Sequence, residues 1–373
     1  KPEDFDAAAR KIWDEFRSNV WGQKPEDIVR QTSEESIFHQ MSVYSEGADR
    51  FLDAVLNRAL LENPLAQGHL SAVALGSNAR RELTLVSDMD YLFLTDLIFP
   101  QQRPDQSWPT MTESQEAVSK ANTRAQTILI AAGFLQRGGK FIPLQTPEEF
   151  VASITEIGRA LENTQKIDLL EGELKARSTI VQTVTKLMDM RHAAGAAELS
   201  EPVLREIREK VFADSPKGLA LRRHIAHVLL QEWSSVYVQA RRLTGLHRTN
   251  PRDLKPFLRH YHMLQWLSAL SGTEISQLIS AADFEKLQQA FAAVQTVRVR
   301  WGVLSKTNES LSDANIEVNR ILGIPPQWRQ EYEVFQDQPM DFAGPSILLK
   351  QYLDRVDDLF EIGLEGFSRA QAA

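Results

Sequence analysis

The sequence SAVALGSNARRELTLVSDMDYLFLTD, from Ser71 to Asp96, decides the fold. It contains two short apolar runs, at 72–75 and 91–94, which are typical of buried strands. A Gly76-Ser77 turn follows the first run, and such a turn lets backbone amides come close to phosphate groups. The stretch therefore predicts two strands joined through a small-residue turn that is suited to phosphate binding.

Two aspartates, Asp88 and Asp90, come just before the second apolar run. Successive strand side chains point to opposite faces, so the alternation puts both carboxylates on one side. Two carboxylates side by side repel each other unless a cation lies between them, and Mg²⁺ favours one or two carboxylates together with substrate phosphate oxygens. The pattern predicts a metal site here. The alternative is a surface Asp-x-Asp pair that merely solvates the edge of the sheet.

The composition limits the classes of partner. The chain has 373 residues, enough for two or three structural units, with 43% hydrophobic and 25% charged residues, as in ordinary globular proteins. Its net charge of −8 provides no global field that would attract nucleic acid or an anionic membrane. We therefore expect neither nucleic acid nor a membrane as partner.

The chain has no cysteine, which excludes disulfides and thiolate metal sites and fits a reducing compartment. It has no run of about 18 or more apolar residues, and its charged amphipathic start does not resemble a signal peptide. We expect a cytoplasmic location. The chain begins with Lys1 rather than methionine, which leaves open whether it is a fragment of a longer protein with regulatory domains outside it.

The periodicity of apolar residues divides the chain into three parts. Residues 1–42 form a helical segment, 43–165 mix helical and strand patterns, and 166–373 carry almost only helical patterns. Long helical patterns cover 165–192, 200–213, 217–243, 252–271, 274–303 and 346–369. The fold class predicted is α+β, with a small mixed-sheet domain followed by an all-helical bundle.

The string GSNARRELTLVSDMDYLFL resembles the signature of the DNA polymerase beta nucleotidyltransferase superfamily. It is most similar to the transferase module of PII protein uridylyltransferases, and also to related nucleotidyltransferases that carry a helical substrate-binding domain. The sequence departs from the uridylyltransferase pattern at Ser77 and Ala79, where that family has glycines. The matching positions are Gly76, Arg80, Glu82, Leu83, Ser87, Asp88 and Asp90.

The resemblance implies a Mg²⁺- or Mn²⁺-dependent transfer of UMP from UTP to a hydroxyl of a regulatory protein such as PII, with release of pyrophosphate. Asp88 and Asp90 would be the catalytic, metal-binding residues. Gly76, Ser77 and Arg80 would bind the nucleotide. The helical half, at 166–373, would close over the nucleotide and present the acceptor.

A fainter similarity to the same family implies that Lys255, in the segment Asp253-Leu254-Lys255-Pro256, also contacts the nucleotide. Residues 257–259, Phe-Leu-Arg, stand here where the family has glycines.

Several interpretations stay open at the level of sequence. Arg80 is as well placed to brace Asp88 or Glu82 through an ion pair as to reach phosphate. Asp168 and Glu171 are candidates for a third carboxylate, although their helical pattern favours a solvated face.

The alternative functions are transfer of AMP from ATP to a protein, a nucleotide-sensing regulatory module without turnover, and transfer to a small molecule such as an aminoglycoside.

Overall fold

The computed structural model describes residues 2–23, 27–28, 31–85, 87, 89–99, 110–135, 142–152, 188–213 and 255–272, with shorter pieces between 215 and 226 and between 274 and 299. These residues belong to two compact units. The first takes in the described parts of Lys1–Asp27, Phe38–Ala160 and Asp168–Lys210. The second takes in the described parts of Ile28–Ile37 and Val211–Ala373.

A small mixed sheet forms the centre of the first unit. Its strand order is β3-β2-β1-β4, with β1 antiparallel to both neighbours and β2 parallel to β3. The strands are β1 (Ser71–Leu75), β2 (Tyr91–Leu94), β3 (Leu144–Gln145) and β4 (Met190–Gly195). The two predicted strands at 72–75 and 91–94 are thereby confirmed, and they pair directly with each other.

The pairing register brings the ends of the two predicted strands together. Ala74 lies opposite Tyr91, and the Leu75 amide donates a hydrogen bond of 3.0 Å to the Asp90 carbonyl oxygen. Every residue of β1 and β2 is buried, so both faces of the sheet centre are covered. The candidate site residues Gly76 and Asp90 therefore lie at the strand ends rather than on a face of the sheet.

The first unit also contains several helices among its described residues. The Thr112 hydroxyl accepts from the Gln115 amide, and the Gln115 side chain accepts from the Thr112 amide, so a capping box starts the helix after residue 112. A 3₁₀ turn covers Pro64–Ala66. The helices are α1 (Pro2–Trp21), α2 (Glu34–Glu62), α3 (Gly76–Ala79), α4 (Glu113–Ala131) and α5 (Ala197–Phe212).

An aromatic cluster joins α1 to the rest of the first unit. The Trp13 side chain is 1% exposed, and its ring centroid lies 5.5 Å from Tyr44, 5.0 Å from Phe51 and 4.8 Å from Phe134. Phe134 in turn stacks on Tyr91, the first residue of β2, at 5.9 Å. The N-terminal helix thus packs into the same core as the strand that follows Asp90.

Strand β4 corrects the prediction of a helix over 165–192. Residues 190–192 are extended and continue to Gly195 as an edge strand paired with β1. The sequence MRHAAG contains no β-branched residue, and Met, Arg and Ala all favour helix. Pairing with β1 therefore overrides the local preference, and the range predicted to be all-helical contains a strand of the sheet.

The described part of the second unit is helical. It includes α6 (Lys255–Ser271) and α7 (Ile275–Leu278). Tyr261, His262 and Phe291 form a buried cluster, with ring centroids 4.6 Å apart for Tyr261–Phe291 and 5.3 Å apart for His262–Phe291. The predicted bundle over 166–373 stays a prediction, because 153–187, 227–254 and 300–373 lie outside the described residues. None of the helices in the described ranges is both long and apolar enough to cross a membrane.

The end of β4 yields a stability prediction. Gly195 has φ +77°, and a methyl group there would lie 2.6 Å from the Leu70 carbonyl oxygen, whereas Gly68, with φ +81°, has open space around it. We expect Gly68→Ala to cost ~1–2 kcal/mol of unfolding free energy through its backbone alone. Gly195→Ala should cost about 1–3 kcal/mol more because of the added clash. Chemical denaturation followed by circular dichroism measures both, and equal losses would contradict the crowding at Gly195.

Candidate functional site

The site is built on the turn that follows β1. Gly76 adopts φ +55°, a left-handed conformation that glycine accepts readily, and it begins the single helical turn α3. A methyl group at Gly76 would lie 3.7 Å from the Asp90 Oδ2 atom. The turn and the Asp90 carboxylate, which the sequence placed at a shared site, are therefore close neighbours.

Of the two predicted metal ligands, Asp88 and Asp90, only Asp90 lies among the described residues. It lies immediately before β2, and it is exposed to solvent while the strand after it is buried. Asp88 lies outside the described residues, so its place beside Asp90 stays a prediction. Ser87 closes a tight turn with Thr84, in which the Ser87 Oγ atom accepts from the Thr84 amide at 3.0 Å. This turn fixes the chain directly ahead of the two aspartates.

Gly76 and Ser77 differ in the hydrogen bonds that their backbone groups make. The Gly76 amide donates 3.1 Å to the Asp189 carbonyl oxygen, which continues the pairing of β1 with β4. Ser77 is half-buried, and its carbonyl oxygen accepts from the Glu82 amide at 2.8 Å. Gly76 therefore contributes space beside Asp90, and the phosphate contact expected of Ser77 stays a prediction.

Arg80 lies between two carboxylates. Its Nε atom donates to Glu82 Oε2 at 2.8 Å, and its Nη1 atom is paired with Asp189. Burial alone would lower the pKa of Arg80, but Glu82 and Asp189 outweigh it and raise that pKa. The ion pair with Glu82, one of the two roles that the sequence left open, is thus the arrangement seen. Asp189 gave no sequence signal, because it lies 109 positions from Arg80.

The segment after the Gly76-Ser77 turn is bound to α2 by an ion pair and a hydrogen bond. Arg81 has φ +60° and pairs with Glu46, and the Leu83 amide donates to Ser45 Oγ at 3.1 Å. A non-glycine residue at positive φ costs free energy that the surrounding contacts must offset. The loop between the two strands is therefore held on one side by α2 and on the other by β4.

A second, partly buried ion pair lies next to the start of β2. Arg191 Nη1, on β4, is 2.5 Å from Asp49 Oδ2, on α2, and the Tyr91 hydroxyl donates to Asp49 Oδ1 at 3.3 Å. Burial raises the pKa of Asp49, although Arg191 opposes the shift. Burial, followed by the negative charge of Asp49, raises the pKa of Tyr91 well above its ordinary value. Tyr91 therefore stays a neutral hydroxyl, anchored directly after Asp90.

The described structure does not test the other predicted site residues. Lys255 begins α6 in the second unit, and its nucleotide contact stays a prediction. Asp168 and Glu171 lie outside the described residues. Among the residues that are described, no three His, Cys, Asp or Glu side chains form a group that could hold a metal ion. At this corner the described structure supplies Asp90 as an exposed carboxylate, while Asp189 pairs with Arg80.

The candidate site lies within a range of the chain that matches a known family model. Residues 26–148 match the model of the family described as Putative nucleotidyltransferase DUF294. No curated protein matches the chain. The matched range contains β1 to β3, the Gly76-Ser77 turn and Asp90, and it ends before β4. The match, together with the small mixed sheet, supports membership of this part of the chain in a nucleotidyltransferase superfamily.

Proposed function

We propose that the chain is a Mg²⁺-dependent nucleotidyltransferase that moves UMP from UTP to a hydroxyl of a regulatory protein such as PII, and releases pyrophosphate. The observation that carries the proposal is the approach of the left-handed Gly76 turn to the Asp90 carboxylate, inside the range that matches a nucleotidyltransferase family. UMP and a PII-like acceptor rest on the similarity of residues 76–94 to uridylyltransferases.

We propose that Asp90 and Asp88 together would hold a hard divalent cation. Asp90 offers exposed carboxylate oxygens, which Mg²⁺ and Mn²⁺ prefer, and Asp88 is proposed as the second ligand. The absence of a side chain at Gly76 leaves room beside Asp90 for phosphate oxygens. A bound cation would neutralise charge on those oxygens.

The chain's own groups would position the donor. Ser77 would contact the phosphates, and Arg80, held by Glu82 and Asp189, would fix the end of the turn. In the reaction the acceptor hydroxyl oxygen bonds to the α-phosphorus, the bond from that phosphorus to pyrophosphate breaks, and the hydroxyl loses its proton. Catalysis of this kind depends on positioning and electrostatic stabilisation rather than on covalent intermediates with the protein.

The role of Asp90 can be isolated with a matched aspartate at the other end of β2. Asp90 precedes β2, whereas Asp96 follows it, is also exposed and pairs with His69 at 2.7 Å. We expect Asp90→Asn to lower the rate of nucleotidyl transfer on the order of 10²–10³-fold, because a charged ligand is lost. Asp96→Asn should leave the rate unchanged. Radiolabel transfer from NTP measures both, and equal rates for the two variants would contradict the site.

The space beside Gly76 can be tested separately. Gly76→Ala places a methyl group 3.7 Å from Asp90 Oδ2, so we expect kcat/KM for the nucleotide to fall on the order of 10²-fold. Gly68→Ala bears a similar backbone cost in open space and serves as the control. Steady-state kinetics at several Mg²⁺ concentrations decide the matter, and parallel losses in both variants would show a stability effect only.

The choice of donor and acceptor forms a further prediction. With purified PII as acceptor and each of the four Mg²⁺-NTPs, we expect labelling from UTP, and we expect Asp90→Asn to abolish it. Labelling from ATP alone would support adenylyl transfer instead. NTP binding by calorimetry without pyrophosphate release would favour the nucleotide-sensing module, and the absence of any NTP binding would overturn the proposal.

A further inference from the structure

Arg191 binds the last two carbonyl oxygens of the helical turn α3. Arg191 lies outside residues 26–148, the range that matches a family model. Arg191 Nη2 donates to the Asn78 carbonyl oxygen at 3.0 Å, and its Nε atom donates to the Ala79 carbonyl oxygen at 3.3 Å. These two carbonyls end the single helical turn α3, where a cation is favoured. One guanidinium therefore caps the turn at the end opposite Gly76.

The same guanidinium also reaches two other segments through Asp49. Asp49 Oδ2 is 2.5 Å from Arg191 Nη1, while Asp49 Oδ1 accepts from the Tyr91 hydroxyl at 3.3 Å. Tyr91 directly follows Asp90 in the chain. The Arg191–Asp49 pair thereby connects both halves of the site, the turn at 76–79 and the strand start at 90–91, to α2 and β4.

The chemistry of this position is specific to arginine. The side chains of Arg191 and Asp49 are 20% and 13% exposed, so solvent screens their pairing only in part. The planar Arg191 guanidinium directs its donors at Asp49 and at both turn carbonyls at once, whereas a lysine ammonium is a compact point charge on a flexible stem. Lysine at 191 would keep the charge beside Asp49 and lose the simultaneous bonds to the two turn carbonyls.

We propose that Arg191, held by Asp49, is a positioning residue that sets the distance between the Ser77 turn and Asp90. Arg191 acts through the Asn78 and Ala79 carbonyls rather than on the nucleotide itself. The inference rests on the proposed function for its catalytic consequence. Its structural part, that the Arg191 guanidinium helps to order the turn, stands independently.

The test combines kinetics with local hydrogen exchange. In Arg191→Lys we expect kcat for nucleotidyl transfer to fall about 10- to 100-fold while KM for the NTP changes about twofold or less, since misplacement is felt chiefly in the transition state. Amide exchange over residues 76–81 should accelerate on the order of tenfold. Asp49→Asn should produce the same pattern more weakly, because it keeps the carbonyl bonds of Arg191. The double variant should be non-additive.

The matched control is Arg124→Lys. Arg124 binds Asp6 at 2.8 Å and Glu62 at 2.9 Å, and its side chain is 17% exposed, but these two partners lie on α1 and α2 rather than on the turn. Its substitution should lower stability without changing kcat or exchange over residues 76–81.

The two proposals fail in different ways. If the unmodified chain transfers nucleotide and Arg191→Lys keeps its kcat, the positioning role is wrong. If the unmodified chain transfers no nucleotide, the proposed function fails, and exchange over 76–81 then decides the role of Arg191. Unchanged exchange in Arg191→Lys, or equal acceleration in Arg124→Lys, would overturn the inference.

Discussion

The antiparallel pairing of β1 with β2 is the constraint on which the rest of the site depends. Because Ala74 lies opposite Tyr91, Gly76, which follows β1, and Asp90, which precedes β2, must lie close together at the same end of the two strands. One turn and one carboxylate, separated by 13 residues of chain between Gly76 and Asp90, thereby become neighbours. A slip of one residue would send every side chain to the opposite face, and burial of both strands opposes such a slip.

Charge around this corner is of two kinds. Asp90 is exposed at the surface, and the partly buried Arg80 and Arg191 are each paired with acids. Arg80 holds Glu82 and Asp189, and Arg191 holds Asp49. Buried ion pairs contribute little net stability when compared with apolar packing, because both charges lose solvation. Their benefit here is geometric, since each pair fixes the direction in which the loop leaves the sheet.

The sequence predicted the parts of the fold that local chemistry determines. Apolar runs predicted β1 and β2, periodicity predicted a helix over 252–271 where α6 lies, and Gly76 and Asp90, which the sequence assigned to one site, lie close together. The sequence did not predict β4, because MRHAAG has helical preferences and becomes a strand only by pairing with β1. It also missed Asp189 and Arg191, since their partners lie more than a hundred positions away and leave no spacing to recognise.

The position of β4 also governs how the first unit is completed. Ser71 and Ala194, which bond across β1 and β4, are 123 positions apart. Closing so long a loop delays folding, because its entropy is lost before the contacts form. During synthesis β1 therefore remains an unpaired edge, open to association with other chains, until β4 has emerged. The family-matched range 26–148 contains β1 without β4, so it lacks one edge of its own sheet.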